Sequence, residues 1–139
     1  MKLTIIAVIC LMLSIVIVSC QSEQELEFKR YYTSGKSIYQ QKCQNCHSAK
    51  GEGLSGLIPP LNDVGYLKKN KSALACMVKY GINETIITIN GKSYEGAMPA
   101  TDLAPIEVAQ VITYVTNSFG NKQGITTSEQ VDADLQKCK

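Results

Sequence analysis

The chain has 139 residues, of which 45% are hydrophobic and 19% charged, with a formal net charge of +2. That balance excludes a disordered or fibrous chain and leaves room for one small globular domain. Near-neutrality gives no electrostatic grip on a phosphate backbone, so no nucleic-acid partner is expected.

Residues 1–19 carry Lys2 as their only charge, and an almost unbroken apolar run extends from Leu3 to Val18. This is the pattern of an export signal. The run ends in Ile17-Val18-Ser19-Cys20, which resembles the lipobox of bacterial lipoproteins, where cleavage leaves the cysteine, here Cys20, as a lipid-modified N-terminus. An uncleaved membrane anchor is the plainer alternative, because the run approaches bilayer-spanning length. Either reading tethers the chain outside the cytoplasm. Removing residues 1–19 takes away one basic side chain and no acidic one, so the mature chain stays close to neutral. Residues 20–33 are polar, mixed in charge and free of an apolar period, which suits a lipidated tether.

The folded domain is expected over residues 34–120. Gly35, Tyr39 and Cys43 recur every four residues with Ile38 alongside, which places them on one face of a helix. That helix leads into Cys43-x-x-Cys46-His47, which holds the only histidine of the chain. Two thiols at this spacing can form thioethers with the vinyl groups of one haem while the adjoining imidazole reaches the iron. Two other readings compete for the same residues. A thioredoxin-like redox pair would need alternating strands and helices around it, and the sequence lacks them. A zinc site would want four ligands, with only Cys76 and Cys138 left to complete the set.

Residues 51–65 are rich in Gly and Pro and predict a loop, in which Leu54, Leu57, Ile58 and Leu61 need an apolar surface such as a flat cofactor. A second helix is predicted over residues 71–80, with Asn70 or Ser72 as its cap and Gly81 as its stop. Lys68, Lys69 and Lys71 form a basic cluster that reads most simply as a solvated helix end, and otherwise as a guide for an acidic redox partner. The β-branched stretch before Asn90-Gly91 predicts a tight hairpin.

Given a haem, the group in the sixth iron position separates electron transfer from gas binding or catalysis. The mature chain offers two methionines. Met77 falls in a predicted helix, where packing explains it. Met98 lies in the Gly- and Pro-bounded loop Glu95-Gly-Ala-Met-Pro-Ala100, which can direct a side chain over the opposite haem face. Met98 is the favoured ligand; Met77, an open position or a lysine are the alternatives. Beyond this loop, Pro105 opens the most periodic helix, with Val108, Val111, Ile112, Val115 and Phe119 on one face, a poor cap in Ala104 and a favourable Glu107. Residues 121–139 form a helical extension, with Thr127 and Gln130 spaced as a capping box and Val131, Leu135 and Cys138 on one side.

This order of helix, Cys43-x-x-Cys46-His47, Gly51-Glu52-Gly53 loop, Pro59-Pro60-Leu61, hairpin, Met98-Pro99 loop and amphipathic helix resembles the class I cytochromes c. The likeness is greatest to the small bacterial monohaem members held by a lipid anchor, and it covers about residues 34–119. It implies an all-α fold of three to five helices wrapped around one covalently bound haem c, with a small β-hairpin before the loop of the methionine ligand. It implies Cys43 and Cys46 as haem attachments and His47 and Met98 as axial iron ligands. The Pro59 carbonyl, rather than that of Pro60, would accept the proximal imidazole N–H and fix the ring. The resemblance further implies that Gly35 and Tyr39 cross the last domain helix near Tyr114, where glycine permits close approach.

The extension after Phe119 and the cysteines Cys76 and Cys138 depart from the family pattern. With Cys10 lost in the signal, Cys20 lipidated and two cysteines on haem, these two remain, and an even remainder in an oxidising compartment predicts a disulfide. Two unrelated buried thiols are the alternative. The expected function is that of an electron carrier rather than an enzyme, anchored in the cell envelope and facing the periplasm. Its redox partners would be respiratory complexes or a terminal oxidase. A gas-binding or peroxidatic haem protein and a haem subunit of a larger oxidoreductase are the alternatives. No distal histidine or acid–base pair supports the former.

Overall fold

Residues 23–31 are mostly strong helix formers, and Lys29 Nζ lies 2.7 Å from Glu25 Oε1 one turn away. The stretch expected as a tether is accordingly helical, within α1 (Lys2–Ile38). The computed structural model describes residues 2–83 and 86–138, and the side chains of residues 2–3, 7–8 and 14–22 lie outside the description. The expected lipid site at Cys20 falls among those side chains, as does much of the expected signal over residues 1–19.

Contacts divide the chain into two compact units, residues 1–30 and 31–139. In the first, Ile5, Ile6, Ile9, Leu11, Met12 and Leu13 are exposed. Among the described residues, no helix is long and apolar enough to cross a membrane.

The second unit starts at Tyr31, ahead of the expected Ser34, because Tyr32 belongs to its packing. The Tyr32 ring lies 5.1 Å from that of Tyr114, and its hydroxyl lies 3.0 Å from Ser118 Oγ. Within this unit, the end of α1 crosses α5 (Pro105–Val115) at Gly35, where a Cβ would meet the Gln110 carbonyl and lie 2.9 Å from Tyr114 Cβ. Only glycine lets the two backbones approach this closely. Tyr39, Tyr114 and Phe119 then stack with ring centroids 5.3 to 5.8 Å apart. Helix α5 opens as its sequence predicts: Ala104 supplies no side-chain cap, and the Ala104 N–H instead donates to Glu107 Oε2 at 2.8 Å.

The segment after α1 differs in detail from expectation. A π-helical turn, Tyr39–Cys43, passes into α2 (Gln44–His47). The predicted loop over residues 51–65 ends in a helix, α3 (Val64–Lys69), because the Asp63 carboxylate accepts the Tyr66 N–H at 2.7 Å and caps it. The predicted helix over 71–80 consists of one 3₁₀ turn, Lys71–Ala73, followed by α4 (Leu74–Tyr80). Neither candidate cap serves it. Asn70 instead donates from Nδ2 to the Tyr66 carbonyl at 2.9 Å and closes α3. Gly81, with φ +75°, ends α4.

The hairpin forms from β1 (Ile87–Ile89) and β2 (Lys92–Tyr94), antiparallel, with Ile87 opposite Tyr94. Asn90 and Gly91 both have positive φ, +51° and +75°, as the favoured two-residue turn requires. Beyond α5 the chain reverses around Asn117, whose amide reaches the carbonyls of Thr113 and Gly124 at 2.8 and 2.7 Å and accepts from two backbone N–H groups. Helix α6 (Ser128–Leu135) follows, capped by Thr127 Oγ1, and docks through the fully buried Val131. Cys76 and Cys138 are joined in a disulfide with their Cα atoms 5.6 Å apart.

Candidate functional site

Between α3, α4, α5 and the loops around Pro59 and Met98 lies an apolar cleft. Leu67, Leu74, Val111 and Ile112 line it, and Cys43, His47, Met77 and Met98 face it. A second lobe shares His47, Pro59, Ile82 and Met98 and adds Cys46. The apolar walls suit an organic cofactor, whereas a bare ion would want polar donors around it.

The histidine side is built by the π-helical turn, a local widening common at functional sites. After His47 the chain turns sharply at Ser48, a non-glycine residue at φ +66°. The fully buried Tyr39 secures this turn by donating its hydroxyl to the Ser48 carbonyl at 2.6 Å. Burial pushes the Tyr39 phenol far above its ordinary range, so the donor keeps its proton.

His47 is buried, and its Nδ1 lies 3.1 Å from the Pro59 carbonyl. A carbonyl can only accept, so Nδ1 carries the hydrogen and the Nε2 lone pair is left for another partner. Burial lowers the His47 pKa, with the Pro59 bond pulling the other way, and the imidazole is neutral as a metal ligand must be. Of the two prolines, the bond goes to Pro59. Its carbonyl is brought close by Gly53, at φ +66°, where a Cβ would lie 2.7 Å from the Pro59 oxygen.

Met98 lines both lobes of the cleft. Ile82 and Met98 exchange two backbone hydrogen bonds of 2.8 and 2.9 Å. Gly96 N–H donates to the Leu57 carbonyl at 2.9 Å, and the Thr101 hydroxyl donates to the Val78 carbonyl at 2.9 Å. The Met98 loop is therefore held at three points, none of which the sequence reading singled out.

Cys43 and Cys46 stand at the rim of the cleft, and neither is bonded to another cysteine. Burial, with Cys46 nearby, pushes the Cys43 thiol up to about 11. Cys76 and Cys138 are bonded to each other and so cannot complete a zinc set. The residues present thus fit a covalently attached haem: two rim cysteines, a buried imidazole with its Nδ1 hydrogen committed, a thioether lining the same cleft and apolar walls.

Met77 also faces the cleft, half-buried on α4. Lys68 and Lys69 sit exposed in the last turn of α3, where they suit the negative end of the helix dipole. Of the residues missed, Gly81 was read only as a helix stop. A Cβ there would lie 2.7 Å from Ala100 N and crowd the Met98 carbonyl.

A family model described as Cytochrome c matches residues 32–118. No curated protein matches the chain.

Proposed function

The chain belongs to the cytochrome c family and carries a covalently bound c-type haem, and on that premise we propose that the cleft is the seat of a one-electron carrier. Bound there, the haem supplies an iron that takes up and gives back a single electron. Cys43 and Cys46 would hold it by thioethers, and His47 Nε2 and the Met98 thioether would ligate its iron. The Pro59 carbonyl fixes the imidazole plane and raises its basicity. With both axial positions filled by the chain, no place is left for a substrate, which favours a carrier over an enzyme.

The observation that carries this reading is the buried His47, its Nδ1 committed to Pro59, facing the same cleft as Met98 and both thiols. An absorption spectrum tests it. The weak ferric band of sulfur-to-iron charge transfer should vanish in Met98→Ala and persist in Met77→Ala. The reverse pattern overturns the assignment.

The carrier is further assigned to the cell envelope of a bacterium, held by lipid on Cys20 after removal of residues 1–19 and exchanging electrons with respiratory complexes or a terminal oxidase on the periplasmic side. The string Ile17-Val18-Ser19-Cys20 and the separate first unit of residues 1–30 support this. A mass spectrum of the N-terminal peptide checks it: an unlipidated chain beginning at Met1 rejects the anchor.

A further inference from the structure

The segment matched by the family ends at Ser118, yet the chain continues, packs α6 into the core through Val131 and returns covalently to α4 at Cys76. Helix α4 spans only Leu74–Tyr80 and has no side-chain cap at its start. A helix this short has no stability of its own, so its position is set by what it is fastened to.

The C-terminal end of α4 is the part that holds the Met98 loop. Its last carbonyls have no partners within the helix, and the loop takes them up. The Thr101 hydroxyl bonds to the Val78 carbonyl at 2.9 Å and the Thr101 N–H to the Lys79 carbonyl at 3.2 Å. Lys79 Nζ returns a bond to the Leu103 carbonyl at 2.7 Å. Just past Gly81, Ile82 pairs with Met98 itself.

We propose that the Cys76–Cys138 disulfide, with the extension it closes, is a positioning element for Met98: it fixes α4, and α4 holds the methionine loop over the cleft. The consequence for the iron rests on Met98 being its ligand; the mechanical coupling from disulfide to loop does not. Without the bond, α4 shifts more freely, and Met98 spends a larger share of its time away from its seat.

The test uses the haem-loaded protein and Cys76→Ala/Cys138→Ala. Hydrogen exchange at the Met98 and Thr101 amides should quicken roughly tenfold, while the amides of Val111 and Ile112 in α5 keep their rates. Imidazole, which takes the sixth position only when methionine leaves it, should bind the ferric protein roughly tenfold more tightly. A lower melting temperature with exchange and imidazole affinity both unchanged would mean that the bond serves stability alone, and overturns the proposal.

Thr101→Val offers an independent arm should the cysteine variant fail to assemble. It removes the side-chain bond between the loop and the Val78 carbonyl of α4 with the disulfide intact, and should move both readouts in the same direction. No movement in either readout also overturns the proposal. If Met98 is not the ligand, Met98→Ala leaves imidazole affinity as it was while the exchange rates still report the coupling, so the two failures are distinguishable.

Discussion

Gly35 of α1 and Gln110 of α5 approach so closely that a methyl group at position 35 would meet the Gln110 carbonyl. Gly35→Ala must therefore push two backbones apart, at a cost of about 2 to 3 kcal/mol by analogy with other overpacked cores. Thermal unfolding should show a clear drop in melting temperature, with Ser34→Ala, exposed one residue earlier, as the control. Equal stability of the two variants would rule out the tight crossing.

Tyr39→Phe keeps the buried ring but removes the hydroxyl that reaches the Ser48 carbonyl at 2.6 Å. The loss leaves a partly buried acceptor without its partner, worth about 1 to 2 kcal/mol. In a denaturant titration the midpoint should fall with the slope unchanged. An unchanged midpoint would show that the turn after His47 does not depend on this bond.

The features legible in the sequence were those whose partners are near in the chain or whose chemistry is rare. Cys43, Cys46 and the single His47 stand together, Asn90-Gly91 names its own turn, and Pro105 opens its own helix. Met98 was legible from its Gly- and Pro-bounded loop once a haem was granted, whereas Pro59 became legible only through the family resemblance, because nothing local ties Pro59 to His47. Asp63 was passed over as a cap because Gly65, two residues later, marks the stretch as loop. Asn121 was invisible for another reason. Its Nδ2 donates to the Leu61 carbonyl at 2.9 Å across 60 positions, and a polar residue in a loop gives no sign of so distant a partner. The reach of the folded unit back to Tyr31 was hidden likewise, since Tyr32 packs on Tyr114, far away in the chain.

Thiol counting checks the cysteine assignments together. With Cys43 and Cys46 on haem and Cys20 under lipid as proposed, and Cys76 and Cys138 bonded, the protein unfolded without reductant should show no reactive thiol. Two thiols would remove the disulfide. Where the bond is present it closes a loop of 62 residues, for which chain entropy gives about 4 kcal/mol.

Asn117 folds the extension back on α5 by using both ends of its amide, with bonds of 2.7 to 3.0 Å to Thr113, Gln123 and Gly124. Asn117→Ala leaves these backbone groups to find water or go unpaired, and should cost about 2 kcal/mol. Limited proteolysis gives the sharper readout: cleavage between residues 120 and 127 should quicken while the haem-bearing part stays protected. Cleavage at the wild-type rate would mean that α6 and the disulfide hold the extension without this turn.

Gly81 and Gly91 separate two reasons for a glycine. Both have φ +75°, so alanine at either position meets the same backbone strain, about 1 to 2 kcal/mol. They differ in surroundings. A Cβ at 91 would have nothing within 4 Å, whereas one at 81 would crowd the Met98 carbonyl and lie 2.7 Å from Ala100 N. Both atoms are backbone of the methionine loop and cannot yield without moving Met98. Gly91→Ala should therefore lower the melting temperature and leave the sulfur-to-iron band intact. Gly81→Ala should cost more and weaken the band as well, because the loop is displaced from the cleft. If the two variants lose stability equally and both keep the band, strain alone accounts for Gly81, and the close approach of α4 to the Met98 loop has no bearing on how the methionine is held.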